Sequence, residues 1–303
     1  MEIAERTQLI DVRYLGRPGS IAACLIETDD GFVIIDPGPA NCVPALEQAL
    51  AAQGVSLDDL RAVLLTHIHL DHAGATGTLA RRNPSLRIHV HESGARHLVD
   101  PTNLLASALR IYGDRLDPLF GEFLPVPAGQ IHWLAGGESL ILGDRTIRVA
   151  YAPGHARHHV AYLDERSGTL FMGDTAGERF APATHVLPVT PPPDIDLELW
   201  KDTFSRVREW HAESVFITHF GTFSDVVPHL DAIEANLVDW SDRVRRSLDE
   251  PGSDEERAAR FEQEIHAQLR QLLQPPVVND YTAGGGVRDS WFGLARYWRK
   301  RLS

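Results

Sequence analysis

Seven consecutive residues, Thr66-His67-Ile68-His69-Leu70-Asp71-His72, limit what this chain can fold into more than any other feature. They follow an apolar run, Ala62-Val63-Leu64-Leu65, with the look of a buried strand. They precede Ala73-Gly74-Ala75, the small-residue start of a helical stretch. Side chains alternate along a strand, so His67 and His69, two apart, point the same way at its end. The turn that follows lets Asp71 and His72 approach from another direction. Imidazoles and a carboxylate in two adjacent groups suit two neighbouring divalent cations. Any fold adopted here must therefore end a strand at residue 66 and leave the next turns open to a pocket. The chain holds 15 histidines, a supply that few purely structural roles require.

Around this segment the pattern alternates between strands and helices. Leu9–Tyr14, Ile21–Thr28 and Phe32–Ile35 read as strands, the last two separated by the turn Asp29-Asp30-Gly31. Residues 43–52 are spaced as a helix, Ala62–Thr66 as a strand, Ala73–Arg82 as a helix and Leu86–His91 as a strand. Helical spacing recurs near 92–99 and 101–115. Short strands return at Ser139–Leu142, Ile147–Tyr151, Val160–Asp164 and Thr169–Met172. Beyond the proline-rich stretch Pro188–Pro193, helices dominate (196–211, 226–250, 254–273 and 289–301), with one strand at Ser214–Thr218. This order predicts an α/β sandwich with helices over the sheet faces. Residues 1–225 would form the catalytic domain. Residues 226–303 would be a helical extension, joined through Pro275-Pro276 and Gly284-Gly285-Gly286.

The His-x-His-x-Asp-His segment in this setting resembles the hallmark of the metallo-β-lactamase superfamily. Further hallmarks follow in order. Tyr151-Ala152-Pro153-Gly154-His155, Phe171-Met172-Gly173-Asp174-Thr175 and Val215-Phe216-Ile217-Thr218-His219 each end a strand on a candidate donor. The likeness covers residues 20–221. It implies a four-layered αββα sandwich with an additional helical C-terminal region. It also implies His67, His69 and His155 on one metal, and Asp71, His72 and His219 on a second. Asp174 would bridge the two, and Asp71 would take a proton from the attacking water. Asp36, in Ile34-Ile35-Asp36-Pro37-Gly38, matches a family motif and would orient a ligand histidine or the loop backbone. His159 would support the ligands. His158 stands where many relatives carry glycine and would line the pocket. His89 and His91, on one strand face with no other donor near, read as a packed or solvated face.

The resemblance implies a hydrolase with two Zn2+, Fe or Mn being the other options, acting on a small ester, thioester or lactone. Histidine in the first motif, where flavodiiron relatives carry glutamate, favours hydrolysis over oxygen reduction. A mononuclear iron oxidoreductase of the persulfide dioxygenase type is the alternative, ahead of a β-lactamase or a phosphodiesterase. The formal charge is -13, from 29 basic and 42 acidic residues, with no basic arm, so no nucleic-acid partner is expected. No apolar run is long enough for a membrane span, and the first residues carry no apolar leader core. Cys24 and Cys42 read as buried thiols of a reducing compartment, so the expectation is a cytoplasmic protein with a small-molecule substrate. Apolar helices suggest a homodimer. The proline-rich loop 186–193 is a candidate apolar wall over the metals. The aromatic helix 291–298, flanked by Arg296, Arg299 and Arg301, either packs on the core or offers basic contacts to an anionic substrate.

Overall fold

The computed structural model describes residues 1–283 and 286–302. Seven strands form the first sheet in sequence order: β1 (Glu2–Ala4), β2 (Thr7–Asp11), β3 (Ala22–Thr28), β4 (Gly31–Ile35), β5 (Leu60–Leu64), β6 (Arg87–His91) and β7 (Ile131–Leu134). Six more form the second: β8 (Ser139–Leu142), β9 (Arg145–Tyr151), β10 (Val160–Asp164), β11 (Thr169–Phe171), β12 (Ser214–Ile217) and β13 (Gly221–Phe223), which lie side by side from β13 to β8. The first sheet runs antiparallel from β1 to β4 and parallel from β4 to β7. In the second only the β11–β12 pair is parallel.

Helices are α1 (Val43–Ala51), α2 (Leu70–Ala73), α3 (Thr76–Arg82), α4 (Glu92–Val99), α5 (Thr102–Tyr112), α6 (Leu116–Phe120), α7 (Leu197–Arg208), α8 (Val226–Ser247), α9 (Asp254–Leu272), α10 (Pro275–Thr282) and α11 (Gly286–Leu302). Among the described residues none is long and apolar enough to cross a membrane.

The period-two alternation of the strands sets the layers. Cys24 and Ile26 of β3, Ala62 and Leu64 of β5, and Val160 and Tyr162 of β10 meet in one core with Phe171 and Phe216, between the sheets. Their neighbours face the other way. Ala23, Leu25 and Val63 pack under α1 and α3, and Ala161, Leu170 and Val215 pack under α7 and α8. The central strands are thus apolar on both faces, as strands covered on both sides must be. The result is a four-layered αββα sandwich. The C-terminal helices continue the outer layer: Phe261, Ile265 and Leu269 of α9 and Trp291, Leu294 and Tyr297 of α11 belong to the same cluster as Trp200 and Phe204 of α7.

Most of the expected elements are found, with differences at the edges. The first long strand is shorter than the sequence suggested, because Asp11 is followed by a turn at Tyr14–Gly16. Strands β1, β7 and β13 were not legible, being three or four residues long and set at sheet ends. Pro275-Pro276 does not form a linker but starts α10, where proline at the first helical positions gives up no hydrogen bond. Of the expected glycine junction, Gly284 and Gly285 lie outside the described residues, and Gly286 opens α11. The aromatic side of α11 packs inward, with the Trp298 indole N–H donating to the Ser241 carbonyl at 3.0 Å. Two basic residues near its end pair outside the pocket. Arg299 donates two hydrogen bonds to the Asp254 carboxylate, each 2.7 Å long, and Arg301 pairs with Glu198.

The Phe171 and Phe216 rings meet 5.6 Å apart in the centre of the inter-sheet core, both fully enclosed. Replacing Phe171 with alanine should cost about 3–5 kcal/mol in denaturant unfolding, while Trp133→Ala on an exposed strand face should cost well under 1 kcal/mol.

Candidate metal centre

Every candidate donor sits just past a strand end, at one edge of the sandwich. β5 leads to His67, His69, Asp71 and His72. The β9–β10 connection carries His155, β11 leads to Asp174 and β12 to His219. Asp36, at the end of β4, ties these ends together. Its Oδ1 accepts the Thr66 backbone N–H at 2.8 Å, and its Oδ2 accepts the Thr66 hydroxyl at 2.6 Å. Oδ2 also lies 2.9 Å from His72 Nδ1 and 3.3 Å from the Thr218 hydroxyl. Asp36 is fully buried and left-handed, with φ of 46°, a conformation aspartate tolerates better than most residues. The role expected from the sequence, orienting a histidine and the loop backbone, describes these contacts.

Each of four histidines spends Nδ1 on an oxygen and turns Nε2 inward. His67 Nδ1 lies 3.1 Å from Thr66 Oγ1, which itself donates to Asp36. His72 Nδ1 meets Asp36, His155 Nδ1 meets the Val189 carbonyl at 2.7 Å, and His219 Nδ1 meets the Ser20 carbonyl at 3.4 Å. His69 is the exception and offers Nδ1, 2.9 Å from His155 Nε2. Two ring nitrogens that close repel unless a cation or a proton stands between them.

The inward atoms form two sets. His67, His69, His155 and Asp174 make one; Asp71, His72, Asp174 and His219 make the other, and within each set all donor atoms lie within 4.8 Å. Asp174 belongs to both through different oxygens. Oδ2 lies 3.5 Å from His155 Nε2, and Oδ1 lies 2.9 Å from His72 Nε2 and 3.3 Å from His219 Nε2. Asp71 Oδ2 reaches His219 Nε2 at 3.3 Å.

These donors fit a pair of divalent cations. His67 Nε2, His72 Nε2 and Asp174 Oδ1 are buried without a hydrogen-bond partner among the described residues, although the last two stand only 2.9 Å apart. The distance is short but the angles do not make a hydrogen bond, which is how lone pairs converging on a common centre are arranged. Glycine is required before Asp174. At Gly173, with φ of 45°, a Cβ would fall 2.4 Å from Thr66 Oγ1.

Charge divides the two sets. In the first, burial and the neighbouring histidines push His69 down to about 3 and hold His67 well below the usual range, so both rings are neutral. In the second, burial also opposes charge on His72. The carboxylates of Asp174, Asp71 and Asp36 outweigh it and hold His72 up at about 10. His219 is raised in the same way, chiefly by Asp174 against burial. Without metal, protons on His72 and His219 balance the carboxylates, and cations would replace them.

The centre opens into a cavity of about 820 Å³, floored by His69, Asp71, Asp174 and His219. Pro188, Val189 and Pro191 form the apolar wall expected from the proline-rich loop, but Val186 and Leu187 turn away into the core. His158 lines the cavity. His159 does not reach it: the ring is buried and stacks on His67 at 4.9 Å, so it packs against that candidate donor. His89 is buried against His132, 5.2 Å between ring centres, outside both donor sets. Residues not singled out from the sequence also line the cavity: Tyr14, Tyr112 and Glu178. Burial pushes Glu178 up to about 7. Its only sequence signal was its place four residues after Asp174.

A profile of the metallo-beta-lactamase superfamily matches residues 16–219, the stretch that carries every one of these donors. The chain belongs to the metallo-β-lactamase superfamily. Within it, the chain is similar to a metallo-beta-lactamase fold-containing protein of Sulfurisphaera tokodaii, 30% identical over 63% of this chain and 69% of that protein. It is also similar to a hydroxyacylglutathione hydrolase of Aeromonas hydrophila, 32% identical over 50% of this chain and 44% of that enzyme. The match thus spans less than half the length of that hydrolase. Two solved structures share the fold over nearly the whole chain, including the helical C-terminal region. An archaeal superfamily member from Sulfolobus tokodaii aligns with TM-score 0.66 at 23% identity, over 97% of this chain and 98% of that one. A family protein from Thermus thermophilus aligns with TM-score 0.69 at 21% identity, over 98% of this chain and 94% of that one.

Two outcomes are expected of this superfamily member. Loading metal-free protein near pH 7 should release about two protons per chain, because His72 and His219 hold protons that the metal must displace. Calorimetry in buffers of different ionisation enthalpy measures this, and buffer-independent heats would contradict it. Asp36→Asn, which removes the charge beside His72 Nδ1, should weaken metal binding in the second set by about 10–100-fold in chelator competition.

Proposed function

We propose that this chain is a dinuclear-metal hydrolase, with zinc as the working metal, that cleaves a small ester, thioester or lactone. The observation that carries the reading is the two complete donor sets joined through the two oxygens of Asp174. Similarity to hydroxyacylglutathione hydrolases supports a thioester as the first substrate class to try. Two bound divalent cations would supply an acidified water as nucleophile and a Lewis acid for the carbonyl oxygen.

His67, His69, His155 and Asp174 would hold one cation; Asp71, His72, His219 and Asp174 would hold the other. The chain's own residues do the positioning. Thr66, Val189, Ser20 and Asp36 fix the outer nitrogens of four ligand histidines, so their Nε2 atoms stay aimed inward. Asp71, part of the cavity floor, would take a proton from the attacking water. Pro188, Val189 and Pro191 keep one side apolar, which limits bulk water near the carbonyl. The acidic net charge and a cavity of small-molecule size support a small-molecule substrate rather than a nucleic acid, and a cytoplasmic setting suits the two buried free thiols.

A single-iron oxidoreductase would need His67, His69 and Asp174 and would leave Asp71, His72 and His219 without a task. Elemental analysis separates the two readings. Protein purified without added metal should carry about two zinc ions per chain, falling towards one in His219→Ala with loss of thioester hydrolysis. About one iron per chain, unchanged by that substitution, would overturn the proposal.

A further inference from the structure

Pro188, Pro191, Pro192 and Pro193 leave Val189 and Thr190 as the residues of the loop 188–193 that carry a backbone N–H. Among the described residues no backbone–backbone hydrogen bond holds this loop; the last one before it runs from the Leu187 N–H to the Glu178 carbonyl at 3.0 Å. The loop nevertheless carries the anchor of a candidate donor. His155 Nδ1 lies 2.7 Å from the Val189 carbonyl, an oxygen that can only accept. The ring proton therefore sits on Nδ1, and the Nε2 lone pair faces the first donor set. The anchors of His67, His72 and His219 are placed by the sandwich itself. Thr66 and Asp36 follow β5 and β4, and Ser20 stands just before β3. Val189 alone of these anchors sits in a loop with no ladder behind it.

What holds that loop is α11. The Thr190 backbone N–H donates to the Ser290 hydroxyl at 3.1 Å, and the Thr190 hydroxyl donates to the Ser290 carbonyl at 3.2 Å. Both residues are buried. Three residues further along the helix, a Cβ at Gly293 would fall 2.0 Å from the Thr190 carbonyl oxygen and 2.8 Å from the Pro191 carbonyl carbon. The loop backbone thus lies directly on the helix surface, at a point where only glycine fits. The Arg296 guanidinium adds a hydrogen bond to the Pro193 carbonyl at 3.3 Å. Ser290, Gly293 and Arg296 follow one another at three-residue spacing along one side of α11. A buried N–H left without an acceptor is costly, so the loop stays where Ser290 receives it.

We propose that Ser290 is a positioning residue of the first donor set: by fixing Thr190 it holds the Val189 carbonyl, which aims His155 Nε2. The helical C-terminal region is thereby part of the metal centre, although among the described residues none beyond His219 belongs to either donor set. The same contact sets the apolar wall, since Pro188 and Pro191 flank Val189 and Thr190. The inference rests on the proposed function for the first set as a metal site, and not for the substrate.

Nitrogen-15 NMR of histidine-labelled, metal-free protein reads this chain of contacts without any turnover, with His155→Gln as the assignment control. The His155 Nδ1–H should be present and slow to exchange with water. In Ser290→Ala its exchange should quicken about tenfold, while the His72 Nδ1–H, held by Asp36, stays as in the wild type. In chelator competition followed by the same resonances, Ser290→Ala should bind zinc in the first set about 10–100-fold more weakly and leave the second set unchanged. Thr190→Val, which removes only the hydroxyl's bond, should weaken the first set in the same sense. Thr190→Ser, which keeps that bond, should bind as the wild type does. Unchanged exchange at His155 in Ser290→Ala, or equal loss of zinc from both sets, would overturn the proposal. Where Ser290→Ala does not fold, Thr190→Val against Thr190→Ser decides by the same two readings. Zinc in both sets of the wild type without hydrolysis of any thioester would count against the hydrolase reading alone; a wild-type first set that binds no zinc would overturn this inference as well.

Discussion

A single buried carboxylate organises the metal centre. Asp36 sits at the end of β4 and gathers the backbone and hydroxyl of Thr66, the outer nitrogen of His72 and the hydroxyl of Thr218. Those partners belong to both sheets, since Thr66 follows β5 and Thr218 follows β12. A charge this deep is tolerable only when its lone pairs are filled, and here four donors converge on it. The same contacts fix where the donor loops leave the sheets. Through Thr66 the carboxylate also reaches His67, so each donor set contains a histidine whose outer nitrogen is held, directly or through a hydroxyl, by Asp36.

The two donor sets are electrostatically unlike although they share Asp174. Three imidazoles crowd the first and stay neutral there because burial and mutual repulsion oppose protonation. The second has two carboxylates close to two imidazoles, and those rings are held protonated. A cation therefore enters the first set among ready lone pairs, whereas entry to the second displaces protons. This asymmetry follows from the positions of Asp71 and Asp36, both on the His72 side.

The cavity above the centre is assembled from segments far apart in the chain. The β2–β3 turn brings Tyr14, α5 brings Tyr112, the proline-rich loop brings Val189, and the start of α11 closes the far side with Arg288 and Asp289. The helical C-terminal region thus shares its core with α7 and also walls the pocket. The cavity's chemistry is mixed. The His158 imidazole and two phenols stand between the apolar wall of Pro188, Val189 and Pro191 and charged side chains that include Glu178, Arg288 and Asp289, an arrangement suited to orienting a substrate with polar atoms.

The sequence by itself determined the strand ends and the donors placed on them. His67, His69, Asp71 and His72 were legible as a dense donor cluster directly after an apolar strand, whereas His155, Asp174 and His219, each weak alone, were legible only in order, through the resemblance to the superfamily. Asp36 was legible through its match to a motif of the superfamily, and the layered α/β order followed from alternating strand and helix patterns. Short edge strands such as β1 and β7 left no such signal, since three or four residues cannot establish a period. Tertiary structure alone decided which donor atoms converge, because that depends on four loops from two sheets meeting within a few ångströms. It alone decided that Arg299 and Arg301 serve ion pairs outside the pocket, that Glu178 and two tyrosines face into it, and that His159 stacks while His158 lines the cavity. Side chains one residue apart in a turn can point opposite ways, and only the packed backbone fixes which.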